Sequence, residues 1–389
     1  MAAFSSARSP RLVFLSAGVA FALLVLVYYV TSSGVWQATT TSYRGSVATT
    51  SSLPLSSPNP SLPPPDPSEG ERILLAKQYL KHIARPSIPV AQPRVTLFGA
   101  QTWELPPLWE PQWKAGQRDG LCIMDLDNRL FNESGQIWGK KPMSWDRPEQ
   151  VHGLSLGILN HWLYAKIHGY KYYYVDIDEF TDRRASWKKP VIMPELLKRH
   201  ETCIFIDSDA VFTHLTIPFE WLMNYWSIDP EKHSLTLAID PDLPWNKDKF
   251  NKTYVNTGFI VAQNNERTFE IMDEWRVCPD DGGRHPNCTD FKTADPGHVT
   301  DQGGFGTYIR YDYKENVKEL SCDDANGFPE SETECKGTFL RHLWTGKDTW
   351  IKRTVGEQIP GDLLQAFHEW FLREREEFWI TEKELMESA

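Results

Sequence analysis

The sequence predicts an α/β fold, a sheet with helices packed on both faces, and three observations carry that expectation. From residue 121 onward, short apolar and β-branched runs alternate with longer segments of helical period, the alternation that sheet-and-crossover folds produce. Thr202–Ile206 (TCIFI) is a continuous apolar run of strand length, as expected of a strand buried on both faces. That run ends directly on Asp207-Ser208-Asp209, and open α/β sheets gather ligands at the carboxyl ends of their strands.

Taken in order, residues 71–84 (ERILLAKQYLKHIA) read as a short amphipathic helix, and 85–118 are rich in Pro and Trp with no clear period. Leu121–Leu126 reads as a strand, and Leu154–His168 as a helix with Gly169 placed to cap it. Lys171–Ile177 (KYYYVDI) is aromatic and β-branched and reads as a strand. Val191–Arg199 reads as a helix whose Pro194 should fall in the first turn. Leu235–Ile239 and Val255–Ala262 read as strands, and Arg267–Arg276 and Gln302–Ile309 as helices. Residues 362–387 read as one terminal amphipathic helix. No internal repeat is evident.

Ahead of this region the chain divides into a tail (1–11), an apolar run (12–30), a Ser/Thr/Pro-rich stretch (31–70) and then the globular part (71–389). The run 12–30 carries no charge; as a helix at about 1.5 Å per residue it reaches roughly 28 Å, close to the ~30 Å bilayer core. A cleaved signal peptide is the competing reading, but its apolar region is usually about 7–15 residues with small residues after it. This run is longer and ends in Val-Tyr-Tyr-Val. Arg8 and Arg11 precede it and no charge follows until Arg44, so the positive side stays cytoplasmic and 71–389 is expected in the lumen. The stretch 31–70 has too little to bury to fold and reads as an extended, O-glycosylated stem.

The net charge of −11 argues against nucleic acid, which selects a basic surface. An acidic protein that binds a phosphate-bearing ligand needs a local cation. Asn132, Asn251 and Asn287 each open an N-glycosylation triplet. Of the six cysteines, Cys278/Cys288 and Cys322/Cys335 lie in polar, Gly/Pro/Asp-rich stretches that suit short-loop disulfides, whereas Cys122 and Cys203 begin apolar runs and read as buried thiols.

Asp-x-Asp occurs at 125/127, 176/178, 207/209 and 240/242, so the pattern alone says little. Solvated acids at a strand-end turn are the ordinary meaning of such a pair. Asp207 and Asp209 differ in lying between the apolar CIFI and Val211-Phe212. Residues two apart in an extended chain face one side, so the pair can meet one hard, oxygen-seeking cation such as Mn2+ or Mg2+.

With those acids in view, the chain resembles family 34 of the glycosyltransferases over roughly residues 150–350. The blocks are Asn160…Tyr164-Ala165…His168-Gly169-Tyr170, Ser186-Trp187-Lys188-Lys189-Pro190, Phe205-Ile206-Asp207-Ser208-Asp209-Ala210, Asn256-Thr257-Gly258-Phe259, Asp301-Gln302 and His342-Leu343-Trp344-Thr345-Gly346-Lys347. The resemblance implies a GT-A-like fold, with a Rossmann-like mixed sheet, in a type II Golgi membrane enzyme. The expected reaction is metal-dependent, retaining transfer of a hexose or pentose from a nucleotide-sugar donor, a UDP-sugar, to a glycan acceptor. Other Golgi glycosyltransferases are the implied protein partners. Asp207, Asp209 and His342 would hold the metal, with Asp207 also near the donor ribose. Gly346 and Lys347 would contact the diphosphate. Asp301 and Gln302 would lie at the sugar, Gln302 beneath it. Asn256 and Gly258 would join the donor-binding set while shaping the acceptor-side strand, with Gly258 allowing close approach.

The chain departs from the family in the Gly-Gly-Phe-Gly after Gln302, poor helix material, and in the Cys-bearing segment 277–299. Two other functions stand beside this one. A haloacid-dehalogenase-type phosphatase also uses a strand-end Asp-x-Asp, but it needs a hydroxylated residue shortly after the second Asp, where Val211-Phe212 and Arg129 stand. A non-catalytic glycan-binding or scaffold subunit would be signalled by loss of Asp207, Asp209 or His342, and all three are present.

Overall fold

In this computed structural model the described residues are 67–84, 88–97, 101–107, 112–116, 120–293, 301–360 and 363–388, all within one unit, 65–389. The tail, the run 12–30 and nearly all of the stem lie outside them. Among the described residues no helix is long and apolar enough to cross a membrane.

The elements follow in chain order: α1 (Glu69–His82), β1 (Arg94–Leu97), β2 (Gln101–Glu104), β3 (Leu121–Asp127), α2 (Gly153–His168), β4 (Lys171–Asp176), α3 (Lys189–Leu197), β5 (Thr202–Ile206), β6 (Ala210–Phe212), α4 (Phe219–Tyr225), β7 (Leu235–Ile239) and β8 (Val255–Gln263). Then come α5 (Glu266–Val277), a composite helix α6 opening at Asp301–Gly304, β9 (Val317–Leu320), β10 (Leu340–His342), α7 (Lys347–Gln358), α8 (Leu363–Arg373), β11 (Trp379–Thr381) and α9 (Glu382–Glu387). The seven-stranded sheet has the order β11-β4-β3-β5-β8-β7-β9. Only β8 runs against its neighbours. The expected α/β class and mixed sheet are therefore present.

Alternation along the strands builds a core on each face. Leu121, Ile123, Ile204, Ile206, Phe259 and Val261 pack with α2 and α8. Cys122, Met124, Cys203, Phe205, Ile260 and Ala262 pack with α3 and α5 on the other side. A helix on each face seals β5, which is why its sequence is apolar throughout.

Four expectations are corrected. Cys122 and Cys203, read as thiols, are joined in a disulfide. They sit opposite each other in the parallel β3–β5 register with Cα atoms 4.6 Å apart, inside the span a disulfide bridges. The pairs Cys278–Cys288 and Cys322–Cys335 are bonded as expected. Pro194 lies within α3 rather than in its first turn, because the helix begins earlier, at Lys189, with Pro190 at its start.

The helix expected over Gln302–Ile309 is α-helical only to Gly304, widens to a π-helix over Phe305–Ile309 and tightens again at Arg310–Asp312. Its glycines serve close packing: a Cβ on Gly304 would meet the Trp187 ring at 2.7 Å, and one on Gly306 the Tyr254 ring at 2.5 Å. Finally, the terminal helix expected over 362–387 is broken by β11, which joins the sheet edge parallel to β4 from Trp379↔Tyr174 to Thr381↔Asp176. Trp379, Ile380 and Thr381 suit a strand, and Thr381 then forms a capping box with Glu384 to start α9.

Candidate active site

β5 ends at Ile206 and delivers Asp207 to the carboxyl edge of the sheet. A tight turn follows: the Asp207 amide donates to Gly258 O at 2.7 Å, and the Ala210 amide to Asp207 O at 2.8 Å. The chain then re-extends as β6, which pairs antiparallel with β10 and sets His342 opposite Ala210. This register, joining residues far apart in sequence, places the imidazole on Asp209. Carboxylate oxygens of Asp207 and Asp209 and a ring nitrogen of His342 lie within 4.8 Å of one another. Gly258 is required here, since a Cβ would stand 2.4 Å from His342 Cε1 and 2.9 Å from Asp207 Oδ2.

The chemistry of this donor set fits a divalent cation. Asn326 donates its amide N–H groups to Ile239 O and Asp240 Oδ1, both at 3.0 Å. Its own oxygen is therefore the acceptor facing His342 Nδ1 at 2.8 Å, and Nδ1 carries the proton. The neutral ring then presents the Nε2 lone pair to Asp209 Oδ1 at 3.1 Å. Two acceptors at that distance need a positive charge, either a second ring proton or a cation bound by both. Without a metal the charge comes from neighbours. Burial alone would raise the Asp209 carboxyl, but His342 and then Lys347 hold it well below the usual carboxylate range. Burial would lower the His342 imidazolium, and Asp209 raises it instead.

Lys347 Nζ lies 2.5 Å from Asp209 Oδ2, at the first turn of α7. Gly346 caps that helix in the left-handed region with φ 56°. A helix N-terminus and an ammonium group beside the acidic cluster form a place for a diphosphate. Lys189, buried beneath, reaches Asp207 Oδ1 at 3.5 Å and Asp301 Oδ2 at 3.3 Å, and donates to Thr257 O at 3.0 Å. Asp301 also accepts from Thr257 Oγ1 at 2.8 Å.

Gln302 Nε2 donates to Asp240 Oδ2 at 2.8 Å, and Asn256 Nδ2 to Asp240 Oδ1 at 2.9 Å. Asn256 Oδ1 accepts from the Gly258 amide at 2.7 Å. Two clefts open on these residues, about 510 Å³ over Asp207, Asp301 and His342, and about 700 Å³ on the side of Asp240. Asn256 and Gln302 line both.

Every residue expected at the site is thus in one neighbourhood: Asp207, Asp209, His342, Gly346, Lys347, Asn256, Gly258, Asp301 and Gln302. Sequence reasoning missed Asp240 and Asn326. Asp240, set aside as one of the stray Asp-x-Asp acids, also ends an apolar strand, so the criterion that picked Asp207 would have found it. Nothing local marks Asn326. Among the other acids, Asp125 is buried on His161 and Tyr172. Asp127 binds Arg129 at 2.5 Å, and Arg129 donates onward to Ser208 Oγ at 2.7 Å. Asn132, Asn251 and Asn287 are all exposed.

Comparison with known proteins gives one family match. No curated protein matches. Among solved structures, the chain is similar to a glycosyltransferase involved in glycosylating the major capsid of PBCV-1, with 14% identity, 60% of this chain and 98% of that one covered, and a TM-score of 0.42. It is also similar to the glycosyltransferase GlyE of Streptococcus pneumoniae TIGR4, at 10% identity, 65% and 63% coverage and a TM-score of 0.36. At such scores neither likeness bears on the chemistry. The family match spans residues 174–323, less than half the chain. It takes in Asp207, Asp209, Asn256, Asp301 and Gln302 and stops short of His342 and Lys347. Over that stretch the chain is similar to the nucleotide-diphospho-sugar transferases, which supports a glycosyltransferase that uses a nucleotide sugar.

Proposed function

We propose that this chain is a retaining, metal-dependent glycosyltransferase of the family 34 type, moving a hexose or pentose from a UDP-sugar to a glycan acceptor. The observation that carries the metal dependence is the His342 ring, whose Nδ1 is committed to Asn326 while Nε2 faces Asp209. Asp207, Asp209 and His342 would hold Mn2+ or Mg2+, which when bound offsets the charge of the departing diphosphate.

The remaining work falls to the chain's own groups. Lys347 and the α7 N-terminus take up phosphate charge. Asp301, oriented by Lys189 and Thr257, binds sugar hydroxyls. Gln302 is held through its Nε2 by Asp240, and its amide oxygen accepts from the Thr257 amide at 3.5 Å, a long contact that a sugar could share through the oxygen's second lone pair. That oxygen can stabilise positive charge at the anomeric carbon without competing as a strong nucleophile.

The same reading places the enzyme as a single-pass type II protein of the Golgi membrane, anchored through 12–30, with the stem and domain in the lumen and with other Golgi glycosyltransferases as neighbours. Three disulfides, with no free cysteine among the described residues, suit an oxidising compartment, and the three exposed sequons suit N-glycosylation. Protease treatment of intact microsomes should spare the domain; its digestion without detergent would contradict this orientation.

The activity is tested by incubating the full-length protein with a panel of UDP- and GDP-sugars, with and without manganese. The expected result is hydrolysis of at least one UDP-sugar that EDTA stops. If no nucleotide sugar is bound or hydrolysed under either condition, the scaffold reading replaces this one.

A further inference from the structure

The 700 Å³ cleft beside Asp240 has walls of an unusual kind. Trp245, on the β7–β8 loop, is 68% exposed. Single exposed apolar side chains are ordinary on protein surfaces, but this one stands on a rigid mount. Asp248, in the same loop, meets Arg310 at 2.7 Å with both side chains withdrawn from water. Arg310 also donates to Thr253 O at 2.7 Å, and the Tyr254 amide closes the loop onto Asn246 O at 2.9 Å. Such a buried pair is costly to set up and costly to break, and here it fixes a surface loop.

The opposite wall, around Phe328–Glu332, is tied down by Cys322–Cys335 and by the Phe328 amide on Cys335 O at 3.0 Å. Trp344, 37% exposed, lines the cleft and rests against the Phe328 ring with centroids 5.6 Å apart.

The charge in the cleft is one-signed. Asp240, Glu330 and Glu332 line it, and no lysine, arginine or histidine does among the described residues. Rigid aromatic faces offer stacking area at little entropic cost, and the C–H face of a pyranose ring is the shape they fit. Carboxylates accept hydrogen bonds from sugar hydroxyls but repel a second anion. Gln302 and Asn256 line this cleft and the donor side alike.

We infer that this cleft receives the acceptor as an electrically neutral oligosaccharide, stacked on Trp245, with Glu330 and Glu332 excluding anionic glycans. The inference rests on the transferase reading for the word acceptor, but its test needs no turnover. Calorimetry on the full-length protein would measure binding of cellohexaose, a mannohexaose and, as an anionic counterpart, hexagalacturonate.

At least one neutral hexasaccharide should bind about tenfold or more tighter than hexagalacturonate. Trp245→Ala should weaken the neutral ligand by about tenfold, and Trp245→Phe should restore most of the loss. The double change Glu330→Gln, Glu332→Gln should narrow the gap between neutral and anionic chains. Thermal unfolding of each variant checks that the fold is retained. The inference is overturned if neither neutral chain binds, if hexagalacturonate binds as tightly, or if Trp245→Ala leaves neutral binding unchanged. UDP binding measured on the same wild-type sample separates the two claims: its absence would count against the transferase reading and leave a saccharide cleft standing.

Discussion

The strand ends of β5 and β7 carry the same pattern, an apolar strand running into Asp-x-Asp, and the fold treats them oppositely. At the end of β5, Asp209 faces a ring nitrogen of His342 and the ammonium group of Lys347. At the end of β7, Asp240 faces neutral amides, with Asn256, Gln302 and Asn326 each donating to it. Its partner Asp242 turns outward to Lys247 and Thr253. The difference comes from what lies beside each strand. β5 is followed at once by β6, which pairs with β10 and brings in a ring nitrogen and an ammonium group. Asp240 meets amide side chains and acts as a hub, orienting His342 through Asn326 while it orients Gln302 directly. One strand end therefore offers ligands, and the other, through Asp240 alone, positions them.

If that contrast is right, substitutions at the two strand ends should rank in a fixed order. Asp209→Asn is expected to cost about a thousandfold or more in transfer, because it removes a ligand from a three-residue set. Asp242→Asn, at an exposed acid of the same pattern, should stay within about twofold. Initial rates on matched preparations decide it, and comparable losses in the two variants would mean the wrong pair has been chosen. Gln302→Ala should lower kcat by about a hundredfold with little change in donor Kd, the signature of a contact made mainly in the transition state. A normal kcat would remove Gln302 from the reaction centre.

Asp240→Asn should cost about 10–100-fold in metal affinity, since it sets an amide N–H against donors that held His342 in place. Metal titrations monitored by donor hydrolysis would show the shift; an unchanged metal dependence would strip Asp240 of its positioning role. The smallest effect on activity belongs to Cys122→Ala with Cys203→Ala, far from the ligands on the sheet interior. Its cost should fall on stability, about 4–5 kcal/mol in the chain-entropy account for so long a loop. Denaturant unfolding measures that cost, and an unshifted midpoint would contradict it.

How legible this was in the sequence depended on whether a feature is local. The α/β class, the individual strands and the Asp207-Asp209 pair were readable because each is a contiguous pattern with its own period. His342, Gly346 and Lys347 were reached through a family resemblance and not through spacing, since only the β6–β10 register brings them to Asp209. Asn326 was invisible because its role depends on two other residues' hydrogen-bonding capacity. The Cys122–Cys203 bond was missed for the same reason: each cysteine opens an apolar run, and only the parallel pairing of β3 with β5 puts them face to face. The terminal segment failed differently. Its apolar spacing fits a helix throughout, and an unpaired edge of β4 overrides that spacing for the three residues Trp379–Thr381.

The claim on which the rest depends is that Asp207, Asp209 and His342 hold a divalent cation that in turn holds a nucleotide diphosphate. Calorimetric titration of UDP into the full-length protein, with manganese and then with EDTA, tests it most directly. Wild-type protein should bind UDP with manganese and lose at least about tenfold in affinity without it, and Asp209→Asn should bind equally weakly under both conditions. UDP binding that is indifferent to the metal in the wild type, or that stays metal-dependent in Asp209→Asn, would contradict the assignment.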